Sequence, residues 1–163
     1  MKSLLIMRHA KSSWHNDLLG DHDRPLNKRG KEEAPLMGNL LKQEEIVPDL
    51  IISSTAERAV ATAEAVALAC DYENDIRYTR QFYHADPETY LEVLRELPDE
   101  INGVMIVGHN PGMQEFVADL TGVDTRFTTA NIAHVQLLIQ SWQALDETVS
   151  GKLLHLWRPK ELD

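Results

Sequence analysis

The segment Gly103-Val104-Met105-Ile106-Val107-Gly108 constrains this chain more than any other. Four consecutive apolar side chains between glycines make a strand whose successive residues point to opposite faces, so both faces must be covered. Three further apolar runs have strand length: Leu4–Met7, Leu50–Ile52 and Val135–Ile139. The stretches between them carry a helical period. Lys28–Lys42 sets Ala34, Met37, Leu40 and Leu41 on one face, and Ala56–Cys70 does the same with Ala59, Ala63, Val66, Ala67 and Cys70. Pro87–Leu97 (Tyr90, Leu91, Leu94) and Pro111–Leu120 (Met113, Phe116, Val117, Leu120) predict two more helices. Ser54 and Glu57 have capping-box spacing, and Asn110 before Pro111 pairs an N-cap residue with proline at the first helical position.

Strands alternating with helices predict an α/β fold: a three-layer α/β/α sandwich around a mostly parallel sheet. Asn131–Ile139 and Gly151–Trp157, joined by a polar stretch, read as a hairpin, which makes the sheet mixed. No repeat or linker divides residues 1–163, and that length suits one domain.

Charge narrows the function. The net charge of −10 argues against a general nucleic-acid binder or a protein that docks on anionic membranes. Residues 1–60 are neutral, with nine Lys and Arg against nine Asp and Glu, and the whole excess lies beyond them. The apolar start Leu4–Met7 is too short for a secretory core or a membrane span, and the single cysteine, Cys70, fits a reducing compartment. A cytoplasmic protein is expected, with a monomer as the default because no exposed apolar stripe is evident.

Ligands of open α/β sheets bind beyond the carboxyl ends of the strands. Arg8-His9-Ala10-Lys11-Ser12 follows the first strand, Ser53-Ser54-Thr55-Ala56-Glu57-Arg58 the second, and Gly108-His109-Asn110-Pro111 the buried one. Arginine forks, hydroxyls and helix N-terminal amides together suit an anion, and phosphate above all. A histidine among such cations is kept neutral and nucleophilic, and can form a phospho-enzyme that divides hydrolysis into two easier steps. Neither a P-loop nor a Cys-x5-Arg nucleophile loop is present.

Leu5-Ile6-Met7-Arg8-His9-Ala10 resembles the Arg-His-Gly signature of the histidine phosphatase superfamily, which includes the phosphoglycerate mutases. Its continuation Lys11-Ser12-Ser13-Trp14 resembles the short SixA-type branch of phosphohistidine phosphatases. The likeness runs on through Asp23–Gly30, Ser53–Ala59, Val107–Gly112 and Phe127–Ala130. It implies His9 as the phosphorylated nucleophile, with Arg8, Arg58 and His109 on the phosphoryl oxygens. It implies no metal and no cofactor. Lys11, Ser12, Arg24 and Asn110 are candidate substrate-binding residues. Arg24 before Pro25 reads equally as an ion-paired turn or as part of the phosphate rim.

Many superfamily members place a carboxylic acid after the third strand to protonate the leaving oxygen. The corresponding region here is Gln81-Phe82-Tyr83-His84-Ala85-Asp86-Pro87-Glu88, with His84 where relatives often have Glu. His84, Asp86 and Glu88 are the candidate acids, and Asp86 before Pro87 also has the place of a helix cap. A weak acid suits phosphohistidine, whose imidazole leaves with a pKa of about 6.5, better than an alkoxide. The expected function is a metal-independent phosphatase acting on phosphohistidine in a protein. A broad small-molecule phosphomonoesterase and a non-catalytic phosphate- or phosphoprotein-binding module are the alternatives, and the absence of a long lid suits the first two equally.

The remaining polar residues have plainer readings. His15, Asp17, Asp21, His22 and Asp23 read as a solvated loop, since their spacing fits no tetrahedral zinc pattern. His134 and His155 read as structural strand histidines, Trp14 as a rim residue, Trp142 and Trp157 as covers of core edges, and Glu92–Glu100 as a solvated face.

Overall fold

The computed structural model describes residues 1–14, 18–147 and 151–162. Its sheet has six strands, in the order β3-β2-β4-β1-β5-β6. These are β1 (Lys2–Arg8), β2 (Leu50–Ser54), β3 (Arg77–Thr79), β4 (Gly103–Gly108), β5 (Ile132–Leu137) and β6 (Gly151–Trp157). The first four run parallel, while β5 pairs antiparallel with both β1 and β6. The expected three-layer α/β fold with a mixed sheet is the one observed. The short β3 was missed, because three partly exposed residues carry no apolar signal.

The pleat sorts the core into two layers. In β1 and β4, Leu5, Met7, Met105 and Val107 face helices α1 (Lys28–Gln43) and α2 (Glu57–Ala69). Leu4, Ile6, Val104 and Ile106 face α3 (Pro87–Arg95) and α4 (Gly112–Thr121). Register keeps the layers aligned, since Leu4 opposes Val104 and Ile6 opposes Ile106. Trp142 is not an edge cover: it is completely buried, with its indole N–H donated to Ile101 O at 2.7 Å. Trp157 is partly exposed and stacks on His155 at 4.8 Å between centroids.

Two helix starts differ from expectation. The N-cap of α2 is Ala56, and Ser54 Oγ instead accepts from Ala56 N at 3.2 Å. The N-cap of α4 is Pro111, one residue later than expected, while Asn110 Oδ1 accepts from Gln114 N at 3.2 Å. Both polar residues sit at strand ends, where long-range partners compete for them. Asn27 and Asp86 do cap α1 and α3, accepting from Gly30 N and Thr89 N. No helix among the described residues is long and apolar enough to cross a membrane.

Candidate active site

The carboxyl ends of β1, β2 and β4 converge on one small open pocket of about 200 Å³. His9 leaves β1 with its amide still donated to Gly108 O at 3.0 Å and its carbonyl accepting from Ala130 N at 3.1 Å, so it is held from both sides. Its ring is buried, and Nδ1 lies 2.7 Å from Ala10 O. A carbonyl can only accept, so the hydrogen resides on Nδ1 and Nε2 carries the free lone pair. Thr62 of α2 braces this turn: its hydroxyl accepts from Ala10 N at 2.9 Å and donates to Arg58 O at 2.7 Å.

Burial pushes the His9 pKa down to about 3, with Arg58, Arg8 and Arg24 adding to the shift and the Ala10 carbonyl opposing it. Desolvation is thus a larger cause of the neutral ring than the cation field read from the sequence.

Three arginines surround the histidine. Arg58 lies in the first turn of α2 and is only 5 % exposed, in spite of an unfavourable helix dipole. Arg24 is also buried, donating from Nε to Ser13 O at 3.1 Å, from Nη2 to Ser12 Oγ and from Nη1 to Asp21 Oδ1 at 2.9 Å. Both readings of Arg24 therefore describe the same side chain, ion-paired and lining the pocket. Its guanidinium also stacks over the Trp14 ring, 3.2 Å from the centroid. Arg8 donates from Nη1 to Phe127 O at 3.2 Å, and its Nε is buried with no protein partner.

His109, at the end of β4, stands 5.0 Å from His9 between ring centroids. Its Nε2 meets Ser54 Oγ at 2.8 Å, and Nδ1 is buried without a protein partner. Burial, followed by the charges of His9 and Arg58, brings its pKa down to about 2. Asn110 spends one amide hydrogen on Phe127 O at 2.6 Å, which ties the residue to the loop that also receives Arg8. Buried cations and unpartnered polar nitrogens around a fixed imidazole are fitted to take up an oxyanion.

A family profile described as the histidine phosphatase superfamily, branch 1, matches residues 4–82. An uncharacterised protein of Mycobacterium leprae is 35% identical over 94% of this chain and 100% of its own. Among solved structures, a candidate phosphohistidine phosphatase SixA from Agrobacterium tumefaciens is 31% identical, covers 97% of this chain and 98% of that one, and superposes with a TM-score of 0.83. The chain belongs to the histidine phosphatase superfamily. Its place in that superfamily is the SixA-type branch. A second solved structure, the protein histidine phosphatase SixA complexed with tungstate, is 26% identical over 99% of both chains, also with a TM-score of 0.83. Membership together with the SixA-type neighbours supports a phosphatase.

The pocket of this histidine phosphatase gathers most residues picked out in the sequence. Arg8, His9, Arg58 and His109 line it, together with Lys11, Ser12, Arg24, Asn110 and His84. Asp86 and Glu88 do not: they line a separate groove with Leu91 and Arg95, and the Asp86 carboxylate is committed to Thr89 of α3. Lys28 and Arg29 border another groove beside α1. His84 lines the pocket with φ at 55°, a left-handed conformation that a non-glycine residue adopts at a cost of about 1–3 kcal/mol. Nothing in the sequence signalled that conformation.

Asp21 and Tyr83 are the site residues that sequence reading missed. Asp21 is solvent-exposed, as the loop reading expects, but its carboxylate is also the anion partner of the pocket arginines, and the Tyr83 hydroxyl donates to it at 2.6 Å. The i,i+3 spacing of Asp21 and Arg24 was the available signal. His22 is likewise engaged, with Nε2 2.9 Å from Thr55 Oγ1, whereas the Asp23 carboxylate is exposed. His15 and Asp17 lie outside the described residues, among which no three His, Cys, Asp or Glu side chains gather as a metal site.

Proposed function

We propose that this protein is a metal-independent phosphatase that passes the phosphoryl group through His9, with phosphohistidine on a protein as its substrate. The observation that carries the reading is the His9–Ala10 hydrogen bond, which leaves Nε2 as a lone pair amid three guanidinium groups. In the first step Nε2 attacks phosphorus; the Nε2–P bond forms, the bond to the leaving group breaks, and the leaving group takes up a proton. Arg8, Arg58 and His109 hold the equatorial oxygens, and Arg24 with Lys11 supplies further positive charge at the rim. In the second step water attacks the phosphorus, the Nε2–P bond breaks, and inorganic phosphate departs with His9 restored. The three guanidiniums supply the charge compensation that a metal ion provides in other phosphatases.

The preference for an N–P bond rests on the proton donors. Asp21 is the carboxyl group among the pocket residues, and hydrogen bonds from Tyr83, Arg24 and Arg58 hold it ionised, well below the usual carboxylate range. An ionised carboxylate gives no proton to an alkoxide. His84 is the remaining candidate donor, and its exposed ring suits a leaving group that needs little help. An imidazole, of pKa about 6.5, is such a group. Aryl phosphates, with phenol-like leaving groups of pKa about 10, are the monoesters that fit the same geometry.

The test offers phosphohistidine protein, sugar phosphates and an aryl phosphate to the wild type and to His9→Ala, with chelator present. Turnover of phosphohistidine that disappears in His9→Ala and survives chelation is expected. Activity retained by His9→Ala would sink the mechanism, and faster hydrolysis of sugar phosphates would sink the substrate class. A wild type that binds phosphate but turns over nothing would identify a binding module.

A further inference from the structure

Asp21 joins three separate parts of the pocket wall. It lies in a short 3-10 turn, Asp21–Asp23, of the loop after β1. Arg58 of α2 grips it twice, from Nη1 to the Asp21 main-chain oxygen at 2.6 Å and from Nη2 to Oδ2 at 3.0 Å. Arg24 Nη1 takes the other carboxylate oxygen at 2.9 Å. The Tyr83 hydroxyl, from the segment between β3 and α3, donates to Oδ2 at 2.6 Å, and His84 Nε2 stands 3.7 Å from that same oxygen.

Two buried guanidiniums lining one small pocket repel each other, and each is a long side chain with many rotamers. A single carboxylate between them offsets part of the repulsion and fixes both forks, so their remaining N–H groups are aimed before the substrate arrives. The carboxylate is satisfied by donors from three elements, which makes it a poor candidate for displacement by the incoming phosphoryl group.

We infer that Asp21 is the positioning residue of this site, clamping Arg58 and Arg24 in the arrangement that receives the transferring phosphoryl group. The inference rests on the phosphatase reading for its kinetic consequence, though the clamp itself is a property of the pocket. It acts through the arginines and touches no reacting atom.

The test is a double-mutant cycle between Asp21→Asn and Arg58→Ala, read with an aryl phosphate. Orthovanadate and inorganic phosphate affinities are measured by calorimetry on the same proteins. Asp21→Asn is expected to lower kcat 10- to 100-fold with KM changed less than threefold, and to weaken vanadate more than phosphate. In the Arg58→Ala background the same substitution should cost less than threefold. Tyr83→Phe, which keeps the carboxylate and removes one of its donors, should lower kcat about threefold to tenfold.

Additive losses in the cycle would overturn the clamp, as would equal weakening of both anions. Tighter binding of both anions by Asp21→Asn would instead make Asp21 a competitor for the phosphate place, and would equally overturn it. If Asp21→Asn does not fold, the Tyr83→Phe kinetics and anion affinities decide: no change in either rejects the inference. A wild type inactive on every substrate rejects the phosphatase reading alone, because the anion affinities still test the clamp.

Discussion

His9 and His109 stand with ring centroids 5.0 Å apart, both inside the protein and both held neutral by burial and by nearby guanidinium charge. Two adjacent imidazoles of this kind tie both stability and chemistry to pH.

Their folded pKa values, about 3 and about 2, lie far below the unfolded value of about 6.5. As pH falls below 6.5 the unfolded chain binds protons first, so folding stability is lost, at most about 1.4 kcal/mol per pH unit for each ring. Thermal unfolding followed from pH 7 to pH 4.5 should show a falling Tm. His9→Ala and His109→Ala should each flatten that slope. His134, lowered by its own burial and by His155, contributes in the same direction and remains in both variants. An unchanged slope in both variants would mean that these rings titrate normally.

The same depressed pKa shapes the rate profile. The acid limb of kcat/KM reports the free enzyme's essential base. With an aryl phosphate, and after correction for the substrate's own ionisation, no loss from nucleophile protonation is expected between pH 8 and pH 5. An acid limb centred near pH 6.5 would show His9 to be exposed to solvent protons.

Arg58→Ala should lower kcat on the order of 10²–10³, the scale for removing one preorganised stabilising group. The Arg58 side chain is buried against Asp21, so a thermal melt must accompany the kinetics. A loss under tenfold with an intact fold would make Arg58 structural.

His84→Gln separates leaving groups. If His84 delivers the proton, a sugar phosphate should lose at least tenfold while phosphohistidine loses less than threefold, since general acid catalysis matters least for the better leaving group. Equal losses on both would assign His84 to binding.

Gly112 tests how the site is held from behind. A Cβ there would meet the main-chain oxygen of Ala85 at 2.1 Å, and Ala85 follows His84 directly. Gly112→Ala should destabilise by about 1–3 kcal/mol through overpacking. It should also lower activity by shifting the segment that carries His84. Normal stability by urea unfolding would show that Ala85 moves freely.

Much of this protein was legible in its residues alone. Among the described residues, periodicity located the four α-helices and short apolar runs located five of the six strands, because an apolar face repeats whatever it packs against. The order of strand ends placed Arg8, His9, Arg58 and His109 near one another, since parallel strands deliver their carboxyl ends to one edge. Ser54 shows where that reasoning stops: it has the spacing of a cap, yet its hydroxyl serves Ala56 N and His109 Nε2, and only the folded sheet brings His109 there.

The split in charge was also visible from the start, with a neutral first third in a chain of net charge −10. Tertiary structure decided which cations count: Arg8, Lys11, Arg24 and Arg58 reach the pocket, while Lys28 and Arg29 border another groove. It also turned Asp21 from one acidic residue in a polar loop into the anion that holds two of those cations. Sequence determines which groups are available and on which strand ends they ride. Pair energies depend on distance and desolvation, and for residues as far apart in the chain as Asp21, Arg58 and Tyr83 those are set only when the loops close over the sheet.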